Sequence, residues 1–77
     1  MRQKLKKLID AGGDIEFSVG GAMYTILPWV EGGILIGPQG SDEDKIFKTA
    51  DEMIDGYCIN GYPLSALLNQ IIITFSS

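Results

Sequence analysis

Acid–base and nucleophilic catalysis need titratable side chains held close together, and this sequence is sparing with them. It has no histidine and a single cysteine, Cys58. A thiol with no histidine to activate it is a poor nucleophile, so Cys58 reads as a buried structural residue. One cysteine also rules out an intrachain disulfide and a zinc site of the usual Cys/His kind. Asp14 and Glu16 stand two apart on a predicted strand, so their carboxylates share a face and could act as a pair. Solvated strand charges have the same spacing, and that is the reading taken. Asp42-Glu43-Asp44 puts three carboxylates in one loop without the spaced ligands and bidentate glutamate of a calcium loop. Gly20-Gly21, Gly32-Gly33 and Gly37-Pro38-Gln39-Gly40 lack the Gly-Lys-Ser/Thr ending or Gly-x-Gly-x-x-Gly spacing of phosphate loops, and turn chemistry accounts for them. The expectation is a protein that is not an enzyme and holds no cofactor or metal.

What is left is binding. Four of the six basic residues, Arg2, Lys4, Lys6 and Lys7, lie in the first seven positions, and from residue 8 onward two lysines face all ten acidic residues. Such a body repels nucleic-acid phosphates, so direct nucleic-acid binding is not expected. It suits a basic protein partner, or solubility alone. The basic cluster reads as a solvated helix face. Most of the aromatics are placed for a core; Trp29, beside Pro28 at a strand end, also reads first as a core residue but could instead be partly exposed and anchor an interface. Trp29, Asp42, Glu43 and Asp44 are therefore the candidate partner-binding residues.

The elements that must position them follow from periodicity. Met1, Leu5, Leu8 and Ile9 form one apolar stripe of a helix over 2–11, ended by Gly12-Gly13. Residues 14–19 alternate polar and apolar, Gly20-Gly21 make a two-residue turn, and 22–27 return as a strand. That turn sets a register of Val19 with Ala22, Phe17 with Tyr24 and Ile15 with Ile26. A second hairpin is predicted through Glu31-Gly32-Gly33. With a two-residue loop it pairs Trp29 with Ile34 and Leu27 with Ile36, so that Met23, Leu27, Trp29, Ile34 and Ile36 share the second face. A longer loop would flip the third strand. Residues 45–48 form a short strand, and Thr49 with Glu52 is a capping box for a short helix to about Asp55. Asn60-Gly61 is a turn, Pro63 begins a helix through Gln70, and Ile71–Phe75 is a strand expected to be well buried.

The fold class expected is α+β: a small antiparallel sheet, made of a hairpin meander and a C-terminal strand, with an N-terminal helix and two short helices. The 77 residues make one domain, 1–77, small enough that self-association or a partner would add needed stability. A sheet apolar on both faces needs two covers. No apolar run reaches the roughly 20 residues of a membrane span. The basic start runs into an apolar stretch too short for a signal peptide, so a cytoplasmic location is expected.

Glu16-Phe17 before the Gly20-Gly21 turn, then Tyr24-Thr25-Ile26, and later Ile59-Asn60-Gly61-Tyr62-Pro63-Leu64 before the last strand form a layout. It resembles that of small uncharacterised proteins of bacterial viruses and prophages. Proteins of that origin include inhibitors of host defence, among them anti-CRISPR proteins, and sponges for signalling nucleotides. The resemblance implies a noncatalytic binding protein, acting by protein–protein occlusion of a bacterial defence component. The alternatives are a homo-oligomer that sequesters a small ligand such as a nucleotide, and a structural or assembly protein.

Overall fold

The hairpin turn at Gly20-Gly21 organises the molecule. In a computed structural model describing residues 1–77, both glycines have positive φ (58° and 84°), the conformation a primed two-residue turn demands and a Cβ resists. It joins β1 (Ile15–Val19) to β2 (Ala22–Val30) in the register expected from sequence, Val19 with Ala22, Phe17 with Tyr24 and Ile15 with Ile26. β3 (Gly33–Pro38) and β4 (Lys45–Phe47) continue the meander. After the helix α2 (Ala50–Gly56), a tight hairpin of β5 (Cys58–Ile59) and β6 (Tyr62–Pro63) turns at Asn60-Gly61, both again at positive φ. The last strand, β7 (Ile72–Ser76), returns to pair antiparallel with β1. The five-stranded sheet has the order β4-β3-β2-β1-β7. The fold is α+β, as its sequence predicts.

All the helical cover lies on one side. The N-terminal helix α1 (Arg2–Asp10) buries Leu5 and Ile9, and α2 buries Ala50, Met53 and Ile54. They pack with Ile15, Phe17 and Val19 of β1, Tyr24 and Ile26 of β2, and Ile34 and Ile36 of β3 in one cluster. Phe17 stacks on Tyr24 with ring centroids 5.4 Å apart, and Tyr57 meets Tyr24 edge-on at 6.3 Å. α1 ends as predicted, with Gly12 at φ 82° and its N–H donating to the Ile9 carbonyl. The capping box holds at its first half: Thr49 Oγ1 accepts from the Glu52 N–H at 3.0 Å.

Several expectations are corrected. β3 presents Ile34 and Ile36 to the core, not to the second face, and Leu35 takes their place there. The loop is the two-residue Glu31-Gly32, but β2 carries a bulge between Leu27 and Val30 that inserts one residue and flips the strand beyond it. The segment after Pro63 forms two 3₁₀ turns, Leu64–Ala66 and Leu68–Gln70, instead of a helix. Leu64 and Leu67 are both buried; their spacing of three fits the 3₁₀ repeat, and Leu67, at φ −110°, separates the two turns. β7 is an edge strand, with Ile72 and Phe75 exposed, not a buried one. Cys58 is exposed as well, because strand alternation turns its neighbours Tyr57 and Ile59 inward.

Candidate functional site

The second face of the sheet has no cover. Residues paired directly across strands share a face, so Glu16 and Ser18 of β1 lie with Thr25 and Met23 of β2, and with Phe75 and Ile72 of β7. Leu27 lies beside Leu35, and Leu35 beside Ile46 of β4. None of these residues is buried. Met23, Leu27 and Leu35 are half-buried, whereas Ile46, Ile72 and Phe75 are 53%, 65% and 49% exposed. Gly33 leaves room for Ile46 Cγ2, and Gly37 for the Asp44 carboxylate, since a Cβ at either would collide. The face is thus a smooth apolar surface with a polar stripe of Glu16, Ser18 and Thr25. Glu16 is its one charged strand residue, and its Oε1 accepts from Gln39 Nε2 at 2.7 Å. Asp14 lies outside β1, and its backbone N–H is bonded to Ser77 Oγ.

The four residues proposed from sequence do not converge. Trp29 sits in the β2 bulge at φ 61°, and its indole N–H donates to the Ile9 carbonyl at the end of α1. It therefore leans toward the helices and away from the open face, while remaining 49% exposed. Asp42, Glu43 and Asp44 are exposed on the β3–β4 loop, with the Asp44 side chain over Gly37. Burial pushes the Tyr57 hydroxyl above its ordinary pKa, and the neighbouring Tyr24, Asp44 and Glu43 push the same way. The acidic loop therefore rims the apolar face at one edge, and Trp29 belongs to another part of the surface. An apolar second face with Met23 and Leu27 on it was expected from sequence, but Trp29, Ile34 and Ile36 were placed there instead of Leu35, Ile46, Ile72 and Phe75. The signal for Leu35 was its alternation with Ile34 and Ile36, hidden by the bulge.

Two members of the basic cluster are engaged within the fold, and Lys4 and Lys7 are exposed. Arg2 Nη2 and Nη1 pair with Asp51 and Asp55 of α2 at 3.0 and 3.1 Å, and Lys6 pairs with Asp51 at 3.0 Å. These contacts clamp α1 to α2. Hydrogen bonds from Lys6 and then Arg2 hold the Asp51 carboxyl below the usual carboxylate range.

A groove of about 510 Å³ opens where the β1–β2 turn meets the β5–β6 hairpin, lined by Ala22, Ile59, Tyr62 and Leu67 with the amides of Asn60 and Gln70. No charged side chain lines it. No group of three or more Asp, Glu, Cys or His side chains is placed to hold a metal ion, and no helix is long and apolar enough to cross a membrane. No family model, curated protein or solved structure matches the chain.

Proposed function

We propose that this chain is a noncatalytic binding protein that works by protein–protein contact through the uncovered face of its sheet. The reading rests on one observation. Helices cover only one side of the sheet, and the other exposes Ile46, Ile72 and Phe75 around half-buried Met23, Leu27 and Leu35. Exposed apolar surface of this extent is characteristic of interaction sites. Five strands at about 4.8 Å spacing make a face roughly 20 Å across, the scale of a standard patch of about 800 Å² per partner. Asp42, Glu43 and Asp44 at its rim would steer a basic partner, raising the association rate more than the final affinity. The likeness to small proteins of bacterial viruses and prophages supports a narrower version, occlusion of a bacterial defence component.

The nucleotide-sequestering alternative has less support. The groove brings no cation to a phosphate, and Arg2 and Lys6 are engaged by α2, which leaves only Lys4 and Lys7 of the basic cluster exposed and unpaired.

Native mass spectrometry on protein purified gently from a bacterial host tests the reading. A stoichiometric protein partner is expected on the unaltered chain and absent from Leu35→Lys and Ile46→Lys variants. The D42K/E43K/D44K variant should slow its association and remove the acceleration that low salt gives the unaltered chain. A partner kept by both face variants would move the contact elsewhere. A retained small molecule with no protein would replace this reading with the sequestering one.

A further inference from the structure

The two edges of the sheet are built differently. β4 is three residues long, begins with exposed Lys45, is followed by Lys48 and is entered from the acidic loop. Short length and flanking charge are the usual protections of an edge against pairing with another chain. β7 has neither. It runs five residues, Ile72–Ser76, without a charge or a proline. The whole segment 56–77 carries no charged side chain, so every charge behind the net of −4 lies in residues 2–55. Two copies of an acidic chain meet with least repulsion along such a segment.

The one irregularity of β7 sharpens the argument. Glu16 pairs with Phe75 but Phe17 with Ile73, so Thr74 is an extra residue, and its Oγ1 donates to the Glu16 carbonyl. A bulge commonly blunts an edge by twisting it. Here it also resets the alternation, so that Ile72 and Phe75, three residues apart, both point to the open face, opposite Ser18 and Glu16.

We infer that two copies of this chain pair antiparallel along β7, about a two-fold axis at the Ile73–Thr74 peptide, joining their sheets edge to edge. In that register Ile72 of each copy lies directly across from Phe75 of the other, both on the open face. Aromatic and β-branched residues make favourable cross-strand pairs. The contact is self-complementary, as a two-fold interface must be. Two uncovered faces become one continuous surface, with an apolar cluster of both copies' Ile72 and Phe75 at its centre. The pairing shares two side chains with the proposed partner-binding face but does not depend on what that face recognises. A single strand pair lies at the small end of interface sizes, so a reversible dimer of micromolar or weaker affinity is expected.

Sedimentation equilibrium of the purified chain over rising concentration tests this without any partner. Reversible dimerisation is expected. The I72K/F75K variant, which sets like charges across the two-fold axis, should weaken it at least about tenfold. The I72E/F75K variant, which sets opposite charges there and places its lysine across from Glu16 and its glutamate across from Ser18, should dimerise. Ile46→Lys, at the far edge of the same face, should leave the dimer intact. Both β7 positions are exposed, so the monomer fold tolerates these changes. A chain that stays monomeric at its highest soluble concentration overturns the inference. So does a dimer that survives I72K/F75K, is lost with Ile46→Lys, or fails to form with I72E/F75K.

Discussion

Glu31 occupies the first position of the β2–β3 turn at φ 51°, a left-handed conformation that a side chain with a Cβ adopts at a cost. Its neighbour Gly32, at φ 80°, completes a primed turn whose preferred first residue is asparagine. Glu31 is exposed. Glu31→Asn should therefore stabilise the protein by about 0.5–1 kcal/mol in urea unfolding, with an unchanged m-value. At this scale the turns were legible, because glycine pairs and Asn60-Gly61 announce positive φ through the one residue type that tolerates it freely. The bulge was not. Nothing in Leu27-Pro28-Trp29-Val30 says that Trp29 will take φ 61° so that its indole reaches the Ile9 carbonyl. That hydrogen bond joins residues on different elements and exists only once α1 is docked. Missing it misplaced Trp29, Ile34 and Ile36 together.

At the scale of elements, α1 and α2 were each legible from an apolar stripe and a capping box, but their mutual clamp was not. The charges of Arg2 and Lys6 were read as solvated, since Asp51 and Asp55 lie far along the chain and are brought near only by the fold. The clamp gives a pH prediction. The folded state holds Asp51 below the usual carboxylate range, so its contribution is present above that range and fades as pH falls through it toward the lowered value. Thermal stability should decline on acidification below about pH 4. Asp51→Asn should shift the melting temperature down at neutral pH and shrink that decline. Because the pair is solvent-exposed, both effects should be small and should diminish in high salt. An acid response unchanged by Asp51→Asn would exclude the clamp as its origin. The segment after Pro63 was misjudged for a related reason. Its leucines fit either helical repeat, so periodicity alone does not choose between the α and 3₁₀ forms.

Across the whole molecule, the sequence reading anticipated a sheet apolar on both faces and therefore in need of a second cover. The structure gives it one cover. Introducing a charge on the open face should accordingly cost the fold little while changing how the surface behaves. Ile46→Lys is expected to alter unfolding stability by less than about 0.5 kcal/mol. The same change should reduce retention on a hydrophobic-interaction column and raise solubility in ammonium sulfate. A loss above about 2 kcal/mol would mean that Ile46, resting over Gly33, is part of the core after all. The acidic loop was placed on the surface by its composition alone, but its position at the rim of that face depends on the β3–β4 pairing.

The place of β7 beside β1 also has a temporal side. Strands that are neighbours in the sheet are made far apart in time, with the Thr74–Glu16 contact spanning 58 residues. At ~5–20 residues per second, a ribosome leaves the outer edge of β1 unpaired for roughly 3–12 s after it emerges. The β1–β2–β3 meander closes through local turns and needs no such wait, so it is suited to nucleate folding, with docking of β7 as the late, high-separation step. During that interval the strand carrying Phe17 presents a bare edge to every nascent chain nearby. How fast the last strand arrives, more than how tightly it is held, should govern how much of the protein reaches its native form.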